Sequence, residues 1–220
     1  MARTADPKLR SRLLAAAVRS FARHGFHATS LDSIASAAGV TKGAVYAHFS
    51  AKESLFFAAL DDARQGLRAA LARAAGGQAT GALELLAYLT TWFRSQFANR
   101  DAARLIWLTS LEVAELPTAR LRADGREDQR ALRADLRRVL TRGVGDGTLD
   151  VQDPPRTAFL LAAQILGSLL QAIAAPDELA DVADPTGLAD LLVQPLATGR
   201  PPSDGDAPSG FLPPVAEDDS

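Results

Sequence analysis

Between residues 41 and 52 the chain reads TKGAVYAHFSAK, in which the hydrogen-bond donors Thr41, Lys42, Tyr46, His48 and Lys52 surround the small residues Gly43 and Ala44. A little upstream, Thr29 and Ser30 add two hydroxyls. Donors around a small-sided opening suit an acceptor-rich partner. Lys42 can donate to the guanine acceptors of a base edge. Tyr46, His48 and Lys52 suit phosphate oxygens, while Gly43 and Ala44 let the backbone come close to its binding partner.

The residues between these donors say how they are held. Thr29 with Asp32 fits a capping box, and Ile34, Ala35 and Ala38 follow at helical spacing. Gly39 can take the left-handed conformation that ends such a helix, Val40 is apolar enough to bury under the turn, and Thr41 can cap a second helix. That helix runs from Lys42 to about Phe49, with Val45 and Phe49 four residues apart and able to face a core. Ser50 and Glu53 fit another capping box and open a third helix, whose own N-terminal amides are further donors for phosphate. Two short helices across a tight turn form a helix-turn-helix, and its second helix can enter a major groove.

The run GVTKGAVYAHFSAKESL resembles the recognition segment of the tetracycline-repressor (TetR) family of transcriptional regulators, and FARHGFHATSLDSIASAAG resembles its first and second helices. The likeness spans about residues 8 to 57. It implies an all-α fold, with an N-terminal three-helix helix-turn-helix domain followed by a C-terminal helical domain for ligand binding and dimerisation. It implies double-stranded operator DNA as a partner, contacted by Thr29, Ser30, Thr41, Lys42, Gly43, Ala44, Tyr46, His48 and Lys52. It also implies repression as the common mode; nothing in the residues themselves separates repression from activation. Ala47 departs from the family, which often has a larger side chain there, so fewer base contacts are available and DNA shape carries more of the specificity.

Composition agrees with this direction. The 220-residue chain has a net charge of only −2, yet residues 1–50 hold seven Lys or Arg against two Asp or Glu, and residues 151–220 hold two against eleven. The basic end fits a polyanion. There is no cysteine, which excludes disulfides and thiolate metal sites, and the histidines His24, His27 and His48 lack a second ligand cluster, so neither metal nor cofactor is expected. A glycine-rich phosphate loop, HExxH and GxSxG are all absent, which argues against an enzyme. The stretch from Ala158 to Ala175 is interrupted by Gln164, Ser168 and Gln171 and reads as a buried helix rather than a membrane span. The opening MARTADPKLR lacks the apolar core of a signal peptide, which predicts a cytoplasmic address.

Helical periodicity accounts for most of the remainder, about nine helices in all. Asp6-Pro7 starts a first helix that Gly25 closes. Its basic face of Lys8, Arg10, Arg12, Arg19 and Arg23 is either solvated or laid along DNA backbone. A long amphipathic helix runs from Ser50 to about Ala75, and helices are expected from Ala82 to Asn99 and from Asp101 to before Pro117. Thr118 to about Gly143 follows, with a possible break near Gly125. The aromatic-rich set Trp92, Phe93, Phe97, Trp107, Leu108, Leu111 and Leu136 is either ordinary core or the wall of a site for a small, largely apolar effector. The helices Pro155 to Ala174 and Thr186 to Thr198 match the pair through which the resembled family makes homodimers, with Leu166 and Leu169 expected at the interface. The domain expectation is DNA binding in 1–52, effector binding and dimerisation in 53–199, and a disordered acidic tail in 200–220.

Overall fold

The computed structural model describes residues 7–111, 118–175 and 184–199. Among these are nine α-helices: α1 Pro7–Ala28, α2 Leu31–Ala38, α3 Lys42–His48, α4 Lys52–Ala75, α5 Gly81–Ala98, α6 Arg100–Leu111, α7 Thr118–Gly145, α8 Pro154–Ala174 and α9 Pro185–Val193. A short 3-10 turn, Gln194–Leu196, follows α9, and the only extended pairing among the described residues is an isolated antiparallel bridge between Leu149 and Ala197. The all-α expectation holds. No helix among the described residues is long and apolar enough to cross a membrane. The tail 200–220 and the segment ending at Pro117 lie outside the described residues, as do the side chains of Trp107, Leu108 and Leu111.

The helices fall into two compact units, residues 1–70 with 94–128 and residues 71–93 with 129–220. In the first, α1, α2, α3 and the N-terminal part of α4 close around one core. Leu13, Leu14, Ala17, Phe21, Ile34, Val45, Phe49, Leu55, Phe56 and Leu60 are all buried there, joined by Leu105 of α6. These are the positions repeated every three or four residues along each helix, so each apolar stripe finds its partner in the others. The Phe56 ring meets Phe21 and Phe26 edge-on, at centroid distances of 5.1 and 5.2 Å. These three rings fasten α4 to α1.

Gly125 does not break α7, which runs uninterrupted from Thr118 to Gly145. The reason lies on α4. Arg64, only 6% exposed, reaches Asp124 at 3.3 Å and Asp128 at 2.7 Å, on both sides of the glycine, and Arg120 lies 4.0 Å from the centre of the Phe57 ring. These tertiary contacts outweigh the cost of about 1 kcal/mol that glycine carries in a helix.

In the second unit, α5 begins where α7 ends, almost backbone to backbone. A Cβ at Gly81 would lie 2.2 Å from the Gly143 nitrogen. Asp146 and Thr148 cap the start of α5, accepting from Gly81 N–H at 2.6 Å and Ala82 N–H at 3.1 Å. One turn further on, the buried Glu84 accepts from Arg138 at 2.6 Å and also from Arg142. Asp150 N–H donates to Leu196 O and Thr198 N–H to Thr148 O, which ties the residues after α9 to the loop after α7.

Helix α8 opens on Asp153, whose carboxylate accepts from Arg156 N–H. Ala158, Leu161, Ile165 and Leu169 face inward, while Phe159, Leu160, Ala163, Gly167 and Leu170 face outward. Leu169, expected at an interface, is 3% exposed and belongs to its own unit's core, whereas Leu160 is 62% exposed.

Candidate nucleic-acid interface

The turn in α1 sets the geometry of everything after it. Gly25 has φ 74°, which halts the helix and leaves carbonyls without helical partners. Thr29 turns inward to meet them: its hydroxyl donates to Gly25 O at 2.7 Å and Ser20 O at 3.2 Å, and the residue is 3% exposed. Lys52, at the start of α4, completes the closure. Its ammonium donates to the carbonyls of Phe26 (2.9 Å), Thr29 (3.0 Å) and His27 (3.3 Å), and sits 4.5 Å from the centre of the Phe26 ring.

With Thr29 committed inward, the cap of α2 shifts by one residue from the expected Thr29–Asp32 pair. Ser30 Oγ accepts from Ser33 N–H, and Ser33 Oγ accepts from Ser30 N–H, a reciprocal box that leaves the Asp32 carboxylate out of the cap. At the far end Gly39 has φ 65° and ψ 42°, its N–H and that of Val40 returning to α2 carbonyls. The guanidinium of Arg12, on the expected basic face of α1, donates to the carbonyls of Ala38 and Gly39. Arg12 therefore holds the turn, a contact across 26 residues that local pattern does not signal.

Thr41 caps α3 by accepting from Ala44 N–H at 3.3 Å. Val45 is buried, with Phe49 behind it, so the opposite side of α3 is fixed outward: Lys42, Gly43, Tyr46 and Ala47 are exposed, and Ala44 and His48 are half-buried. Tyr46, 50% exposed, is the largest apolar surface on this helix. Helix α4 starts at Lys52 rather than Ser50; its opening is held by Ser54, whose hydroxyl accepts from Ala51 N–H and donates to Ala51 O. The Ser50–Glu53 box does not form because Ser54 takes the reciprocal position one residue later.

Asp32 was not among the expected site residues, yet it touches one. Lys42 Nζ donates to Asp32 Oδ2 at 2.8 Å, with both side chains more than half exposed. That hydrogen bond, with the attraction between the two charges, raises the Lys42 pKa above its ordinary value. A carboxylate in the first turn of a helix is a common dipole partner, so its type and position alone do not mark it.

Ser30, Thr41, Lys42, Gly43 and Tyr46 are thus exposed on or at the ends of α2 and α3, with Ala44 and His48 half-buried, while Thr29 and Lys52 hold the joint between α1, α2 and α4. Of the aromatic set, Trp92, Phe93 and Leu136 are buried in the second unit, and Phe97 is half-buried in the first.

Residues 13–59 match the model of the family described as bacterial regulatory proteins, tetR family. The chain is 49% identical over 49 residues to the probable acrEF/envCD operon repressor of Escherichia coli K12, covering 22% of each chain. It is 44% identical over 66 residues to the transcriptional activator FasR of Mycolicibacterium smegmatis, covering 28% of this chain and 30% of that one. The chain therefore matches these curated relatives over less than a third of their own length. Along the whole fold it is similar to the structure of SmeT, the repressor of the Stenotrophomonas maltophilia multidrug efflux pump SmeDEF, with a TM-score of 0.66, 25% identity and 94% of both chains covered.

Proposed function

We propose that the chain, whose residues 13–59 match the tetR family of bacterial regulatory proteins, is a sequence-specific DNA-binding transcriptional regulator that represses from a palindromic operator. The observation that carries this reading is α3, whose outward side is cleared of bulk at Gly43 and Ala44 and furnished with donors at Thr41, Lys42, Tyr46 and His48. Ser30 and the first turn of α2 extend the contact, and Thr29 and Lys52 contribute by fixing the helices that present it. Residues 1–52 carry this activity and 53–199 the rest, in two copies of the chain paired through Pro155–Ala174 and Thr186–Thr198. The apolar outward face of α8, with Phe159, Leu160 and Leu170 exposed, supports that pairing. A two-fold dimer reads a two-fold site.

A small, largely apolar effector bound within residues 53–199 would release the operator by favouring a dimer with the wrong half-site spacing. About 1–3 kcal/mol of coupling weakens the complex roughly 5–150-fold. The similarity to both a repressor and an activator keeps activation, or regulation with no small-molecule effector, as the second reading.

The test is selection from a randomised duplex pool, followed by affinity measurement on the enriched sequence at fixed salt. An enriched inverted repeat bound by a dimer supports the reading, and failure to enrich any sequence overturns it. Compounds that quench Trp92 or Trp107 fluorescence are then titrated into the complex. Unchanged affinity at saturation removes the effector while leaving DNA binding in place.

A further inference from the structure

We propose that Asp32 is a specificity-determining residue that acts through Lys42: it holds the ammonium off the phosphates and leaves it to donate to the edges of bases. This rests on the proposed DNA-binding function. Asp32 is the sole acidic residue between Pro7 and Lys52, and it stands in the first turn of α2, within reach of Lys42. Lys42 Nζ lies 2.8 Å from Asp32 Oδ2, and no other salt bridge joins α2 to α3 among the described residues. Neither side chain is needed by the fold: Asp32 lies outside the Ser30–Ser33 cap, and Thr41 rather than Lys42 caps α3.

An unpaired lysine opening a recognition helix is attracted to every phosphate it meets, and that attraction carries no sequence information. Paired with Asp32, its far field is cancelled, so its counterion-releasing share of binding disappears. A phosphate approaching the ammonium also brings its own charge toward the carboxylate, and like charges repel. A guanine edge is different. It is an uncharged acceptor, and an ammonium has three N–H donors, of which Asp32 uses one. At the DNA surface, where water is displaced, the ion pair strengthens, so the lysine stays pinned rather than swinging to the backbone. The raised Lys42 pKa is consistent with a cation that remains charged throughout.

The experiment compares the full-length protein with Asp32→Asn, Asp32→Glu, Lys42→Met and the double variant Asp32→Asn/Lys42→Met. The probes are a random-sequence duplex and the duplex that the parent protein enriches from a randomised pool, each titrated across a range of salt. Asp32→Asn is expected to bind the random duplex more tightly, with a log–log salt slope steeper by about 0.9 per half-site. Its preference for the enriched duplex should fall by roughly tenfold per half-site, within the worth of one base-edge contact. Asp32→Glu should restore both quantities, and the gain on random duplex should vanish in the Lys42→Met background because it runs through that ammonium. If Asp32→Asn gives the same gain with Lys42→Met in place, Asp32 is a plain repulsive charge and the proposal is overturned. If the salt slope stays fixed while one base preference is lost, Asp32 reads a base directly and the proposal is likewise overturned. A parent protein that enriches no sequence from the pool removes the DNA-binding reading, and this proposal with it.

Discussion

The ammonium of Lys52 lies 2.9 Å from the carbonyl oxygen of Phe26 and 4.5 Å from the centre of the same residue's ring. One residue of α1 thus holds the first residue of α4 by both its backbone and its side chain. Lys52→Met should cost about 1–2 kcal/mol of stability, the range for losing hydrogen bonds from a charged group at a partly exposed site. It should weaken DNA binding without changing the slope of log affinity against log salt. A lysine seated on a phosphate would flatten that slope by about 0.9, so the salt titration separates clamp from contact.

Gly81→Ala is expected to be severe. Its Cβ would fall 2.2 Å from a backbone nitrogen of α7, which cannot rotate away as a side chain can. Separating two packed helix ends costs at least about 3 kcal/mol, at the upper end for overpacking, and a chemical denaturation series would show it as a lowered midpoint.

Acid stability should depend on Glu84. Burial pushes its pKa up, but hydrogen bonds from Arg138 and Arg142 and their charges outweigh burial and hold it below the ordinary 4.5. A depressed folded value means that this stabilisation is fully present above about pH 4.5 and drains away as pH falls through the folded value. Glu84→Gln should therefore lower stability at neutral pH, by leaving two arginines facing an uncharged partner. Its melting curve should converge with that of the parent protein as the solution is acidified, and a constant gap between the two across the acid range would count against this account.

Charging the outward face of α8 tests the dimer without touching the core. Leu160→Asp and Leu170→Asp alter residues that are 62% and 55% exposed, so helix content should be unchanged by circular dichroism. Sedimentation should then report monomers, and affinity for the enriched duplex should drop by about two orders of magnitude, since the second half-site no longer benefits from tethering. Leu169→Asp, by contrast, should unfold its unit.

The helix-turn-helix was legible because its determinants are local. Gly39 needs a left-handed backbone, Thr41 caps the next helix, and Val45 and Phe49 repeat every four residues, all within a dozen positions. The features that local pattern missed were decided elsewhere in the chain. Thr29 and Ser30 are equally good caps by type; Thr29 is drawn inward by carbonyls that Gly25 leaves open, so the cap passes to Ser30 and Ser33. Arg12 reads as one more charge on a basic face until its contact with the α2 turn is seen. Gly125 reads as a breaker because nothing near it announces Arg64, sixty residues before Asp124. Asp32 and Lys42 lie ten residues apart on different helices, so their pairing depends on the turn angle, which the sequence does not state.

The closure of α1 by Lys52 bears on how this helix-turn-helix can be transplanted. A graft that stopped at Ser50 would carry every outward donor of α2 and α3 yet leave the carbonyls of Phe26, His27 and Thr29 without their ammonium. It would also strip Phe21 and Ile34 of the α4 residues Leu55, Phe56 and Leu60 that share their core. A hybrid chain that keeps this helix-turn-helix intact therefore needs its splice beyond Leu60, inside a continuous helix, where the donor and acceptor chains must agree in helical phase as well as in sequence.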